Sequence, residues 1–516
     1  MSAKADDQRP DLAMGVASEA IPEGAILAGT VNEEPVVVAR KGGHLFALSG
    51  KCTHLGAPLE KGILVGGELR CPWHHARFCL KRGAAKNAPA LLPLASYEVS
   101  EVEGVVRVFA KRPLDSSEPE SQGPGRVVIV GGGAAGHACA DILARAGHGA
   151  SVTIISSDAD APYDRTFCSK QFLAGKKERE DAMLPVMGLG NGPKPALRLK
   201  STVARIDLGA RAVILEGGEH VPFDSLVLAT GAEPKRPELP GATSQNAFVL
   251  RSLSDAEAII EKAGSAKSVA ILGASFIGLE VAASMISRGL AVHVVAPGKV
   301  SFEKVMGAGV GGYVRDLHEK KGVVFHLGSK AESFDGGTLT LDDGSTIEAD
   351  FVVFGVGVSP RIELAKQAGL AIASKEEGGG VKVDAELKTS APGVYAVGDI
   401  ASYPDARLGR RIRVEHWVHA ERQGQHVARV LLGEAEHFNE TPFFWTAHHG
   451  TSLRYVGHGD DVAEVRIDGS LEAGEFAAEI VEGERVSALV TLKRDRQALE
   501  REAEWDHAAT LASGKS

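Results

Sequence analysis

Two short segments carry the densest chemistry in the sequence. Cys52-Thr-His54 is followed, after sixteen residues, by Cys71-Pro-Trp-His74. Two thiolates suit a ferric iron, and two neutral imidazoles suit a second iron that accepts an electron, so the set fits a [2Fe–2S] cluster. Each half supplies one Cys and one His from a tight loop, and two such loops would clamp one cluster. The competing reading is a structural zinc site. Zinc pairs run C-x2–4-C and H-x3–5-H, whereas here each pair mixes the two residue types, as C-x-H and C-x-x-H. The nearby His44 and His75 read as surface groups. Cys79 reads as a packed thiol, because four ligands are already assigned.

A second chemistry is written in glycine. Gly131-Gly-Gly133-Ala-Ala-Gly136 follows the apolar run Val127-Val-Ile-Val130 and opens a helical stretch over 134–146, with a next strand at Val152-Thr-Ile-Ile155. Strand, glycine turn and helix form a dinucleotide-binding unit. The turn lets the backbone approach a pyrophosphate, which rests on the helix N-terminus. Gly273-Ala-Ser275-Phe-Ile-Gly278-Leu-Glu280 repeats the pattern, between the strand Val269–Leu272 and a helix over 277–287, with a strand over 291–295 after it. Ser275 takes the middle glycine position, small enough for close approach but with less clearance. Phe354-Gly-Val-Gly357 offers another close backbone approach. Enzymes that bind NAD place an acid after the second strand of the unit for the ribose 2′-hydroxyl. Here that strand ends Val295-Ala296-Pro297-Gly298-Lys299. Lys299 is either a partner for a 2′-phosphate or a solvated turn lysine, so NADH and NADPH are not separated.

These loops need a scaffold, and the composition supplies one. At ~100–200 residues per domain, 516 residues suit three or four domains. Apolar content of 44% and charged content of 24% are those of ordinary globular chains. A net charge of −10 disfavours nucleic acid or an anionic membrane as partner. No apolar run reaches the ~18 residues of a membrane span, and the first ten residues lack the apolar core of a secretory signal. Five cysteines are no disulfide framework, so a cytoplasmic location is expected, as a monomer or a homodimer. Residues 16–111 read as short strands and turns, 112–124 as a polar linker rich in Pro and Ser, and the part after Phe438 as a small α+β unit.

The flanks Leu55-Gly56-Ala57-Pro58 and Pro72-Trp73 resemble the cluster loops of Rieske [2Fe–2S] proteins. Residues 125–516 resemble flavoprotein reductases with two dinucleotide domains, namely the ferredoxin reductases of oxygenase systems and the apoptosis-inducing-factor-like proteins. The motifs that carry this are the two glycine turns, Ala229-Thr230-Gly231, Pro162-Tyr163-Asp164-Arg165 with Ser169-Lys170, and the run from Thr389 to Gly398-Asp399. The subfamily that fuses both parts resembles the whole chain. The resemblance implies an α/β multidomain protein with a Rieske domain at 11–112, a linker at 113–124, an FAD domain at 125–245 and 378–438, an NAD(P)H domain at 246–377 and a C-terminal domain at 439–512. It implies that Asp399 holds the FAD ribityl chain and that Arg165 contacts the cofactor. It places Lys170 by the flavin N5, with Glu280 as its partner near the nicotinamide, and it leans towards NADH. Gly131, Gly133, Gly136, Thr230, Gly231 and Gly398 would face FAD, and Gly273, Ser275, Gly278 and Gly357 the nicotinamide nucleotide. Trp417 matches a family tryptophan near the ferredoxin dock; its plainer reading is a core aromatic.

Departures from the family sharpen the expectation. High-potential Rieske proteins carry an extra cysteine in each loop, where this chain has Ala57 and Trp73, and hydroxyls where it has Ala76 and Phe78. Hydrogen bonds to the sulfurs raise a cluster's potential, so their loss predicts a low-potential cluster. Family members end the second strand of the FAD unit with a Glu for the ribose; this chain has Ser157, with Asp158 one place on. The expected function is hydride transfer from NAD(P)H to FAD, then single electrons to the chain's own cluster and on to an external acceptor. Two rivals stand beside it. Cys168 lies where coenzyme A-disulfide reductases of this fold carry a redox thiol and where ferredoxin reductases have Leu. A non-enzymatic signalling role is suggested by the apoptosis-inducing-factor resemblance alone.

Overall fold

The structure, a computed structural model, describes residues 9–113, 123–188, 192–434, 436–459, 462 and 464–513. All but the ends of the expected linker lies outside the described residues. The N-terminal segment alternates apolar and polar residues over short runs, and it folds as strands. Six of them form an antiparallel sheet in the order Val16–Ala17, Val105–Lys111, Ser96–Val102, His44–Ser49, Glu34–Lys41, Ile26–Val31. A second sheet of Ile63–Val65, Glu68–Arg70, Arg77–Cys79 and Ala85–Asn87 sits beside it.

The two glycine turns lie in sheets of matching design. The first is parallel, in the order Ala196–Arg198, Val152–Ile155, Val127–Val130, Ser225–Leu228, Val394–Ala396. The chain thus leaves this sheet after Leu228 and returns to it at Val394. In between it builds the second sheet, with Ala247–Val249, Val352–Phe354, Ser268–Leu272, Ala291–Ala296 and Val323–Leu327 in that order, again parallel. The helices that follow the turns are Ala134–Arg145 and Phe276–Ser287, each within a residue of its expected bounds. In both parallel sheets the central strands, such as Val127–Val130 and Val352–Phe354, are buried on both faces, as their unbroken apolar runs require. The C-terminal unit is a five-stranded antiparallel sheet backed by the helix Asp495–Ala512. Among the described residues, no helix is long and apolar enough to cross a membrane.

The N-terminal sheets are fastened to the rest of the molecule by buried charge. Arg70 and Arg77 reach Asp506 at 2.8 and 2.7 Å, and Arg77 also reaches Glu440 at 2.6 Å. His75 pairs with Glu502, which Arg422 meets at 2.7 Å. His75, expected on the surface, is fully buried. Its ring stacks on Phe443 with centroids 3.9 Å apart. The reason is tertiary: Glu502 comes from a helix 427 positions later, and no local pattern around His75 announces it. Burial opposes the charge on Glu502, but Arg422 and His75 outweigh it and hold the carboxyl well below its ordinary value.

Candidate functional site

The two ligand loops close in the same way. The amide of Cys52 donates to the carbonyl of Ala57 at 2.9 Å, and the amide of Cys71 donates to that of Ala76 at 2.8 Å. Each loop is therefore a tight turn returning five residues after its cysteine, and each presents its Cys and His on the same side. Cys52 and Cys71 hydrogen-bond one another, which raises the first thiol and lowers the second. The Nδ1 atoms of His54 and His74 lie 3.2 Å apart. Burial pushes the His54 imidazole down to about 4 and His74 well below its ordinary value, so both are neutral ligands at neutral pH. Among the described residues, no three of His, Cys, Asp or Glu converge on one ion. The donors fall two and two, thiols together and imidazoles together. That division suits a cluster of two irons and not a single zinc.

Next to this cradle lies a cleft between the two parallel sheets and the C-terminal sheet. Gly133, Arg165, Lys170, Gly231, Ser275, Glu280, Gly357, Gly398, Asp399 and Trp417 line it. Gly131, Gly136, Gly273 and Gly278 stand behind the wall and shape it. At Gly131, with φ +114°, a Cβ would sit 2.1 Å from the Ala229 carbonyl oxygen, and at Gly273, with φ +116°, 2.3 Å from that of Gly355. Only glycine takes such a turn without strain. The helix after Gly133 has no side-chain cap, which leaves its first amides free for a pyrophosphate. Ser275 does cap its helix. Its hydroxyl accepts from the Gly278 amide at 3.3 Å and donates to the Gly355 carbonyl at 2.6 Å. Thr230 donates to the Arg361 carbonyl at 2.7 Å and does not line the cleft. Ser157 is exposed and outside the cleft. Asp158, its neighbour, accepts from the Tyr163 hydroxyl and pairs with Arg165, both at 3.0 Å. Lys299 is exposed.

At the centre of the cleft, Lys170 and Glu280 form an ion pair at 3.0 Å. Glu280 is 3% exposed and also accepts from Ser169 at 2.6 Å and Thr446 at 2.8 Å. Three contributors escaped the sequence reading. Arg251 pairs with Asp399 at 2.8 Å and lines the cleft. Thr446 comes from the C-terminal sheet. Beside it, Trp445 lines the cleft while its ring lies 4.0 Å from that of His74, centroid to centroid. Trp445 and Thr446 lie on the strand Phe443–His448, and the expectation of a small α+β unit after Phe438 gave no sign of where their side chains would point.

Cys168 is 2% exposed and lies outside the cleft, and burial pushes its thiol up to about 12. A redox thiol is lowered and accessible, so the geometry speaks against a thiol role. Cys79 is half-buried on its strand, and His44 is exposed.

Comparison with known proteins agrees with this geometry. Residues 125–424 match the pyridine nucleotide-disulphide oxidoreductase family, and residues 13–98 match the Rieske [2Fe–2S] domain. Apoptosis-inducing factor 3 from Homo sapiens is 30% identical over 486 residues, 89% of this chain and 78% of that protein. The ferredoxin–NAD(+) reductase component of the anthranilate 1,2-dioxygenase system of Burkholderia cepacia is 32% identical over 334 residues, 64% of this chain and 81% of its own length. The crystal structure of the covalent putidaredoxin reductase–putidaredoxin complex superimposes with a TM-score of 0.69 at 28% identity, covering 75% of this chain and 94% of the other. The chain belongs to the pyridine nucleotide-disulphide oxidoreductase family, carries a Rieske domain ahead of it, and is an oxidoreductase that uses NAD(P)H, FAD and a [2Fe–2S] cluster to pass electrons to an acceptor.

Proposed function

We propose that the chain is a self-contained reductase in which electrons run from NAD(P)H to FAD, then to the cluster on Cys52, His54, Cys71 and His74, and then to an external one-electron acceptor protein. The observation that carries this reading is Trp445, one side chain that packs on a cluster-loop imidazole and also lines the dinucleotide cleft. FAD, when bound, accepts two electrons as a hydride and releases them singly. The protein's own groups do the positioning. In this reading 11–112 holds the cluster, 113–124 is the linker, 125–245 with 378–438 holds FAD, 246–377 holds the nicotinamide nucleotide, and 439–512 joins them. The return of the chain to the first sheet at Val394 supports that division.

Lys170, held by Glu280, would lie by the flavin N5, and Glu280 would border the nicotinamide. Asp399, braced by Arg251, takes the ribityl chain. Arg165 and the amides after Gly133 take the pyrophosphate. Trp417, the first residue of its helix, edges the cleft on the flavin side. NADH is the preferred donor, in keeping with the ferredoxin–NAD(+) reductase named above. That relative serves a dioxygenase, so an oxygenase component or its ferredoxin is the class of acceptor to try first.

The test is Cys71→Ser. The variant keeps FAD and is still bleached by NADH, but loses the Rieske electron paramagnetic resonance signal and the reduction of the acceptor protein. Unchanged turnover with that acceptor would show that the cluster is bypassed. Trp445→Leu, which keeps all four cluster ligands and the Lys170–Glu280 pair, slows cluster reduction after the flavin has been reduced.

A further inference from the structure

A row of buried hydrogen-bonding groups leads out of the cleft on the side away from the cluster. Thr446 Oγ1 lies 2.8 Å from Glu280 Oε1 and 3.0 Å from His448 Nε2. His448 Nδ1 is 3.2 Å from His318 Nε2, and His318 Nδ1 is 3.1 Å from His449 Nε2. His318 and His448 are fully buried, whereas His449 is half-buried at the turn that ends its strand. His449 and Gly450 are the two central residues of a hairpin, with φ +51° and +84°. This is the geometry of a tight two-residue turn, and it brings His449 over the end of the helix Glu303–Glu319, which carries His318.

We propose that His449, His318, His448 and Thr446 are a proton relay between solvent and Glu280, which loads Glu280 with a proton when a hydride enters the cleft and unloads it when the electrons leave. The proposal rests on the functional reading above. None of the three histidines is needed to bind a nucleotide or iron, and among the described residues they form no metal-binding group. Every member of the row has a partner on each side, so the row has no gap between Glu280 and His449.

The hydrogen bonds also fix the resting direction of the row. Glu280, paired with Lys170, only accepts. Thr446 therefore donates to it, and its oxygen accepts from His448 Nε2–H. His448 Nδ1 then accepts from His318 Nε2–H, and His318 Nδ1 accepts from His449 Nε2–H. All three rings are neutral Nε2–H tautomers, and burial, which lowers all three pKa values, favours the neutral form. A proton arriving at His449 Nδ1 moves inward by exchange. Each N–H or O–H bond breaks as the next forms, and the row ends with Nδ1–H rings and a protonated Glu280. No ring carries a charge at the end of the passage.

The balance gives the row its purpose. A hydride brings two electrons and one proton, hence one net negative charge, beside Lys170. One proton from solvent on Glu280 offsets that charge and frees Lys170 to face it. Two oxidised one-electron acceptor proteins then take one electron each. The borrowed proton returns along the row, and the hydride's own proton leaves by the open side of the cleft, where Ile277 is 41% exposed. Overall, NAD(P)H and two oxidised acceptors give NAD(P)+, two reduced acceptors and one proton.

The experiment uses the holoprotein, reduced anaerobically by NADH in a weak buffer with a pH indicator and no acceptor present. The wild type takes up one proton per flavin reduced, together with a new infrared band of a protonated carboxyl that is missing in Glu280→Gln. His318→Phe breaks the row, and its proton uptake lags flavin reduction by at least about tenfold, the scale on which a positioned proton carrier acts. His318→Ala shows the same lag, and added imidazole shortens it, which a purely structural role would not allow. Nitrogen-15 spectra of histidine-labelled oxidised protein show Nε2–H tautomers at all three positions. Absence of proton uptake, uptake as fast in His318→Phe as in the wild type, or Nδ1–H tautomers in the oxidised protein each overturn the relay. Failure of both NADH and NADPH to bleach the wild-type flavin overturns the functional reading, and the relay with it.

Discussion

Two groups of buried charge meet the same strand, Phe443–His448, the seam through His75 on Phe443 and the cleft through Thr446 on Glu280, and they differ in what surrounds them. At the seam between the N-terminal sheets and the C-terminal helix, Arg70, Arg77, Arg422 and His75 face Glu440, Glu502 and Asp506. In the cleft, Glu280 has one cation, Lys170, and two hydroxyls, and one of those hydroxyls opens onto the histidine row. Cations and anions in near balance within one cluster hold two surfaces in register. A single pair beside a cleft is poised to respond when a charged group arrives. The contrast teaches that burial alone does not mark a working site; the character of the neighbours does.

Removing one member of each group separates the two roles. The largest effect belongs to the seam. Glu502→Ala leaves Arg422 and His75 buried without their carboxylate, and breaking such a set costs about 3–5 kcal/mol. Urea unfolding should record that loss, and the cluster signal should weaken as the N-terminal sheets loosen. The pH dependence has a definite sign. The Glu502 carboxyl is held below its ordinary value of 4.5, so its contribution is complete above that pH and is lost as pH falls towards the folded value. Unchanged stability in Glu502→Ala would dissolve the contrast.

Glu280→Gln is the matching change in the cleft. It keeps the shape and a hydrogen bond to Lys170 but removes the charge. Reduction of the flavin by NADH, followed by stopped flow, should slow by about 100-fold, the lower end of the range seen when one preorganised electrostatic group is removed from an active site. Stability should change little compared with Glu502→Ala. Equal losses of rate in the two variants, once both are shown to be folded, would mean that the seam also governs the chemistry.

The same contrast explains what the sequence revealed. The cluster ligands and both glycine turns were legible because their chemistry fixes residue type and local spacing together. Gly131 and Gly273 could be named because no other residue tolerates their backbone. The helices after them were legible to within a residue for the same reason. The seam was not legible. Arg70 and Asp506 are 436 positions apart, and each looks like an ordinary surface charge in its own stretch of chain. Trp445 and Arg251 were missed because their roles depend on which sheet they are carried to. Ser157 stands out by its family position alone; it is exposed at the strand end, with no contact among the described residues to mark its role.

The smallest expected effect concerns Cys168, which belongs to neither group of charge. It packs with Tyr163, Phe172 and Leu173 in an apolar cluster that contains no working group of the cleft. A thiol pushed up to about 12 is almost wholly protonated at pH 8, and so it resists alkylation while the protein is folded. Mass spectrometry after iodoacetamide treatment at pH 8 should find Cys168 unmodified in native protein and modified in urea. Cys168→Leu restores the side chain usual in ferredoxin reductases and adds volume to a filled site, at a cost of no more than about 1–3 kcal/mol. Hydride transfer and one-electron output should both be retained, since neither Lys170 nor Glu280 has lost a partner. If the variant keeps its FAD and its fold but loses turnover, the thiol carries electrons after all, and the division between charge that fastens and charge that works must then make room for a third kind of site, built from sulfur.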